Sequence, residues 1–325
     1  MPPEGQKPTL RLGYWLSSEE HPPRALVRNA VRAEATGFSS AMISDHFHPW
    51  IREQGQAAFV WSVLGGIALT TERLRVGTGV TAPIMRMHPV VVAHAAATAA
   101  AMLEGRFFLG VGSGERLNEH VVGARWPGAI ERRAMLEEAV GVIRTLLGGE
   151  NVNHAGEYFR VENAQLFTRP ITPPPIMLAV SGRASSKLAG RIADGMIATT
   201  DDPRAVEAFE AAGGAGKPRI GQLHVCWAES EKEAKATVHR VWPQGALQGS
   251  APTDLARPKD FEGAVDAIPA DATTAGIVCG PDRERHLEAI ARFAAAGFTE
   301  LYLHQIGPDQ DGFFRFYADH LLPCL

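Results

Sequence analysis

Residues 44–50 read Ser-Asp-His-Phe-His-Pro-Trp and hold the densest set of chemically capable side chains in the chain. An imidazole titrates close to neutral pH, so His46 is suited to taking up and releasing a proton. The spacing His46-x-His48 is also compatible with half of a zinc site, which His224 or His304 would complete. Structural roles compete with both. Asp45 suits a helix cap, Trp50 can fill a loop core, and either histidine can simply pack. The run gains weight only if other reactive groups share its end of the fold.

The surrounding elements supply that company. Ser40-Ala41-Met42-Ile43 reads as a short buried strand that stops at Ser44. Further strands are expected at 10–15, 74–79, 107–111, 176–179, 195–199, 220–225 and 300–304. Helices are expected at 23–36, 57–70, 89–102, 129–147, 184–193, 204–212, 283–295 and 313–322. Pro23 and Pro89 suit first helical turns, and Gly37 and Gly297 suit C-caps. Eight strands alternating with helices specify an α/β fold, a (β/α)8 TIM barrel, better than an open sheet. Two stretches break the alternation. Residues 148–175 read as a β-hairpin inserted after the fourth strand. Residues 242–274 read as a loop-rich helical excursion over the barrel mouth after the seventh. Neither suggests a separate domain, so one domain spanning 1–325 is expected.

In a barrel, reactive groups belong at the C-terminal ends of the strands. Glu19 follows the first strand and Asp45, His46 and Trp50 the second. Gly79-Val80-Thr81-Ala82-Pro83 follows the third. Gly112-Ser113-Gly114-Glu115 and Asn118 follow the fourth, and Val180-Ser181-Gly182-Arg183 the fifth. His224 and His304 end the seventh and eighth, where ordinary strand-end packing competes with any chemical role. Gly112-x-Gly114 is too short for a phosphate loop and suits close backbone approach to a flat ligand. Small residues and an arginine opening a helix make a natural phosphate site, although capping alone would explain the Ser and Gly. Polar and glycine residues collected at one end, above apolar strand bodies, point to an enzyme.

Bulk properties narrow the class. The chain has 325 residues, is 45% hydrophobic and carries a formal charge of −4, with no basic stripe. Nucleic acid is therefore not expected as a partner. No apolar run reaches the length of a membrane span. Cys226, Cys279 and Cys324 have no pairing or metal-like spacing, which fits a reducing, cytoplasmic compartment.

The chain resembles the luciferase-like monooxygenase superfamily, and most of all its coenzyme F420-dependent glucose-6-phosphate dehydrogenase group. The likeness rests on Leu12-Gly13-Tyr14, Ser44-Asp45-His46-Phe47-x-Pro49-Trp50, Gly77-Thr78-x-Val80, Phe108-Leu109-Gly110-Val111-Gly112-x-Gly114-Glu115-x-Leu117-Asn118-Glu119 and Ala189-Gly190-Arg191-x-x-Asp194-Gly195. It implies a barrel with F420 lying across the C-terminal face and a non-proline cis peptide at Gly79–Val80. Asp45, Gly79, Val80, Thr81, Ser113, Glu115 and Asn118 would line the deazaflavin. Val180, Ser181, Gly182 and Arg183 would hold its phosphate end. His46 would act as base on the substrate hydroxyl and Glu115 as acid toward the reduced ring. Trp50 would line the substrate side, Glu19 would be a further active-site carboxylate, and the protein would be a homodimer.

The likeness also has gaps. Members acting on sugar phosphates hold the substrate phosphate with Lys and Arg on later segments. Those segments here read Thr199-Thr200-Asp201-Asp202-Pro203, Pro252-Thr253 and Ala275-Gly276, with Arg257 and Lys259 as possible substitutes. Aspartates repel a phosphate dianion, so a non-phosphorylated alcohol or carbonyl substrate, apolar for want of charged partners, is expected. At the strand-three bulge Thr81-Ala82 replaces the usual apolar-Thr pair, which puts one cofactor hydrogen bond in question. An FMN-dependent reductase or monooxygenase is the rival on the same fold. A metal-dependent hydrolase using His46 and His48 is the rival of another class.

Overall fold

The computed structural model describes residues 10–324. In chain order the first half comprises β1 (Arg11–Leu16), α1 (Pro23–Thr36), β2 (Ser40–Ile43), α2 (Val60–Thr70), β3 (Arg75–Thr78), α3 (Pro89–Met102), β4 (Phe107–Val111), α4 (Arg116–Glu119), α5 (Ala129–Gly148) and the hairpin strands β5 (Val152–Ala155) and β6 (Arg160–Ala164). The second half comprises β7 (Ile176–Ala179), α6 (Arg183–Ile192), β8 (Gly195–Ala198), α7 (Pro203–Phe209), β9 (Arg219–Cys226), α8 (Glu231–Val241), the short helices α9 (Ala251–Asp254), α10 (Pro258–Val265) and α11 (Ala270–Thr273), then β10 (Val278–Cys279), α12 (Arg283–Ala295), β11 (Glu300–Gln305) and α13 (Gln310–Phe316).

Parallel pairing runs β9–β11–β1–β2–β3–β4–β7–β8, and β8 pairs back onto β9, closing an eight-stranded barrel. β10 adds two residues beside the end of β9. The expected (β/α)8 barrel is therefore present, with the hairpin after β4 and the helical segment after β9. Among the described residues no helix is long and apolar enough to cross a membrane.

Strand alternation sorts the side chains into two layers. Trp15, Met42, Phe108, Met177, Ile197, Ile220 and Tyr302 fill the barrel interior. The opposite faces meet the helices in a larger core. α3 buries Ala93, Ala96, Ala97, Ala99 and Ala100, so small side chains bring it close to the strands. At the N-terminal end Glu300, 2% exposed, takes Arg75 at 2.9 Å and Arg11 at 2.6 Å. Charges at that end stabilise the barrel rather than serve chemistry.

Several boundaries differ from expectation. α2 starts at Val60, not Ala57. α7 ends at Phe209, where the chain widens into a π turn reaching Gly213 at φ 102°. α13 starts earlier than expected, at Gln310, because the Asp309 side chain accepts from the Gly312 amide. α8 was not expected at all. It buries only Ala234, Val238 and Val241 among charged neighbours, although Ser230 caps it through the Glu233 amide, a Ser-x-x-Glu start legible in the sequence.

Candidate active site

Glu19, His46 and Glu115 converge at the barrel mouth from the ends of β1, β2 and β4. His46 Nε2 lies 3.2 Å from Glu19 Oε1 and 3.6 Å from Glu115 Oε2. Its other nitrogen, Nδ1, is 3.1 Å from the His48 carbonyl. A carbonyl only accepts, so Nδ1 carries a proton and Nε2 is left to exchange one with the carboxyls. Glu19 is buried and fixed by the Ser17 hydroxyl at 3.1 Å and by the Ser44 hydroxyl. Removal of water raises the Glu115 carboxyl above the usual carboxylate range, His46 opposes the rise, and the negative charge of Glu19 adds to it. Its side chain keeps 34% exposure, so solvent screens part of that effect. The three groups form one proton-exchanging unit in which the imidazole sits between two acids.

Asn118 holds the unit together. Its Oδ1 accepts from the Phe47 amide at 2.9 Å and from the His48 amide at 3.3 Å, and its Nδ2 donates to Glu115 at 3.0 Å. It thereby fastens the β2 tip to the β4 loop. Trp50 lies against His46 with ring centroids 4.9 Å apart, and Phe261 of α10 packs on the far side of Trp50 at 5.2 Å. The Trp50 amide donates to Gln54, whose side chain donates to the Val241 carbonyl. The helical segment after β9 thus forms the wall behind Trp50, with Leu247 and Leu255 beside Phe261.

The Gly79–Val80 peptide is cis. A Cβ on Gly79 would come within 2.5 Å of Met42, and one on Gly112 within 2.7 Å of Val80, so both positions require glycine for this close approach. The Thr81 amide donates to Gly110 and its carbonyl accepts from Gly112, pinning this ledge to the end of β4. Ser113 and Gly114 continue it toward Glu115, with Gly114 at φ 72°.

The side chains of Asp45 and Thr81 are joined to each other at the base of this ledge. The Asp45 side chain has no exposure; it accepts from the Thr81 hydroxyl at 2.7 Å and from Arg86 at 2.8 Å. Asp45 does not cap a helix. Both groups are spent in a buried network beneath the mouth, which also contains Glu119. The Arg86 amide donates to Glu119 Oε2 at 2.8 Å, and Arg86 Nε lies 3.6 Å from Oε1. Nothing in the sequence marked Arg86, and Glu119 was visible only as the end of the Glu115-x-Leu117-Asn118-Glu119 run.

Burial pushes Glu119 up to about 7 against the pull of Arg86. The native state therefore keeps a proton that the unfolded chain releases, and this group's contribution to stability, complete below the ordinary glutamate value, is lost as pH rises toward 7. Replacing Glu119 by Gln should flatten the denaturant midpoint between pH 4.5 and 7 relative to the native protein. An unchanged slope in a pH series of urea melts would disprove that assignment.

Val180, Ser181, Gly182 and Arg183 lie apart from His46, at the start of α6. They border, with Val180 buried just below, a cavity of about 900 Å³ that Lys187, Asp202 and Arg204 also line. Lys187 follows Arg183 by four residues, the spacing that places two side chains on one helical face. Arg204 is held by Asp202, whereas Arg183 has no acidic partner within salt-bridge distance among the described residues.

The metal reading finds no support. His48 Nδ1 meets the Leu117 carbonyl at 3.0 Å and its ring stacks on His120, whereas His46 Nε2 faces Glu19 and Glu115. Among the described residues no three His, Cys, Asp or Glu side chains are grouped to hold an ion.

The family model for luciferase-like monooxygenases matches residues 9–300. An F420-dependent glucose-6-phosphate dehydrogenase of Microbacterium testaceum is 36% identical, covering 97% of each chain. One from Nakamurella multipartita is also 36% identical, covering 98% of this chain and 97% of its own. Among solved structures, an F420-dependent secondary alcohol dehydrogenase in complex with an F420–acetone adduct superposes with a TM-score of 0.89 at 28% identity, covering 96% of this chain and 98% of its own. By its sequence and its barrel, the chain belongs to the luciferase-like monooxygenase family.

Proposed function

We propose that this protein is an F420-dependent oxidoreductase that moves a hydride between the deazaflavin and an alcohol or carbonyl substrate lacking a phosphate. The observation that carries the reading is the His46 imidazole, its Nδ1 fixed by a carbonyl and its Nε2 placed between Glu19 and Glu115. The relatives named above support the cofactor. The glycine ledge from Gly79 to Gly114 suits a flat ring, and the open helix start with Arg183 and Lys187 suits a phosphate. When bound, F420 supplies the hydride acceptor or donor.

The protein's own groups then have separable tasks. His46 removes the hydroxyl proton of an alcohol and shares it with Glu19. Glu115, held toward its protonated form, supplies a proton at the cofactor side. Trp50, backed by Phe261, offers the substrate an apolar wall and keeps water from the exchanged protons. Val80 and Ser113 carry the ring, and Asp45, Thr81 and Asn118 keep the loops beneath it in register.

Several basic groups of the later segments and of the loop after β2 are already paired with carboxylates. Arg257 pairs with Asp260, Asp201 with Arg292, and Arg52 with Glu262. With oxidised F420, a simple secondary alcohol such as 2-propanol should therefore bleach the deazaflavin faster than glucose 6-phosphate does. Faster turnover of the sugar phosphate would overturn the substrate reading. Calorimetric titration with F420 and FMN tests the cofactor, and selective micromolar binding of FMN would overturn it.

A further inference from the structure

A second hydrogen-bonded chain of acid and imidazole groups stands at the same mouth and is not used above. β9 and β11 lie side by side with His224 opposite His304. Ile220 and Tyr302 on these strands belong to the barrel interior, so the two-residue period of a strand turns His224 and His304 inward as well, nearer the mouth. His304 is fully buried. Its Nε2 is 2.8 Å from Glu20 Oε2 and its Nδ1 is 2.9 Å from His224 Nδ1. The other Glu20 oxygen accepts from the Gly307 amide at 2.9 Å.

Proton counting gives this chain a direction. Burial works to raise Glu20, but its hydrogen bond and charge interaction with His304, the charge of His21 and the Gly307 amide outweigh it and hold the carboxyl below its usual range. The ionised carboxylate only accepts, so His304 Nε2 donates to it. When His304 carries a single proton, its Nδ1 is an acceptor and His224 Nδ1 donates to it. The lone pair of His224 Nε2 is left pointing away from the chain. Burial and the neighbouring His304 push His224 down to about 3, which keeps its ring uncharged across the physiological range.

Among the described residues His224 Nε2 has no partner, yet it is not one of their buried unpartnered polar atoms, so part of its surface is open. Trp242 packs on both rings, at 5.3 Å from His224 and 4.5 Å from His304. The apolar cluster that contains Trp242 also receives Trp50, the residue against His46. The two imidazoles therefore border one site across an indole wall.

We propose that His224 Nε2 is a fixed hydrogen-bond acceptor for a second hydroxyl of the substrate, distinct from the one that reacts at His46, and that Glu20 and His304 are positioning residues that set its tautomer. This rests on the oxidoreductase reading above and narrows its substrate class to hydroxylated alcohols or carbonyls. A site built to bind a hydroxyl discriminates against the analogue without it, because the acceptor is then left unpaired.

The test uses the full chain with F420 and two matched series, 2-alkanols and the same alcohols with a terminal hydroxyl, from four to eight carbons. One length of the diol series should exceed its mono-alcohol by about tenfold in kcat/KM. His224→Phe should bring that ratio close to one, and His224→Gln, which keeps an acceptor, should restore part of it. A flat ratio in the native protein, or an unchanged ratio in His224→Phe, overturns the proposal. Nitrogen-15 NMR of histidine-labelled protein gives a readout independent of turnover. His224 Nε2 should be unprotonated at neutral pH, should shift on titration with the preferred diol and not with the mono-alcohol, and should lose this tautomer in Glu20→Ala. If neither series reduces F420, the oxidoreductase reading fails while the NMR titration still decides the acceptor. A protonated Nε2, or one that does not move with the diol, overturns it.

Discussion

Replacing His46 by Gln should lower turnover of 2-propanol with oxidised F420 by about 10²–10⁴-fold, the usual contribution of a positioned general base. Gln can still donate to the His48 carbonyl and still fits beside Trp50, so the loop should keep its shape. It cannot titrate, so the alcohol proton loses its route to Glu19. The loss should fall mainly on kcat, because the base is needed in the transition state and not for binding the alcohol. It should also change the form of the pH–rate profile, a readout that a purely structural change would not alter. A variant within tenfold of the native rate would remove His46 from the reaction and with it the central argument for alcohol chemistry.

The largest stability effect is expected at Arg86. Arg86→Met should cost about 3–5 kcal/mol, the range for removing one partner of a buried ion pair. Asp45 and Glu119 would then face each other below the mouth with no cation between them. A neutral carboxyl is far cheaper to bury than an ionised one, so the deficit should shrink as pH falls from 8 to 5. Urea melts at several pH values would show this, and a pH-independent deficit would mean that Arg86 acts through packing alone. The same variant should weaken binding of F420, because Asp45 and Thr81 position the ledge from below.

The barrel was legible because its strands are largely apolar runs of four to eight residues separated by helices with ordinary start and stop signals. The hairpin was legible from its aromatic, β-branched piece around Tyr158-Phe159-Arg160-Val161. The meeting of Glu19, His46 and Glu115 followed from the rule that strand tips share one face, even though 96 residues separate the first from the last. Residue type alone left two other things hidden. Asp45 and Asn118 look like isolated polar groups, yet Asp45 accepts from Arg86 and Thr81, and Asn118 joins two backbone amides to Glu115. The partnership of Glu20, His304 and His224 depends on strand register across 284 residues, which no local pattern encodes.

The wall behind Trp50 has a consequence for how this protein can diversify. Glu19, His46 and Glu115 sit on the β1, β2 and β4 loops, fastened to one another by Asn118 and the serines around Glu19. Leu247, Leu255 and Phe261 all travel on the single stretch between α8 and β10, which contributes none of those groups. The wall behind Trp50 and the Glu19–His46–Glu115 cluster thus lie on separate parts of the chain. Exchanging that one stretch between relatives would re-shape the wall behind Trp50 and leave the loops that carry Glu19, His46 and Glu115 in place.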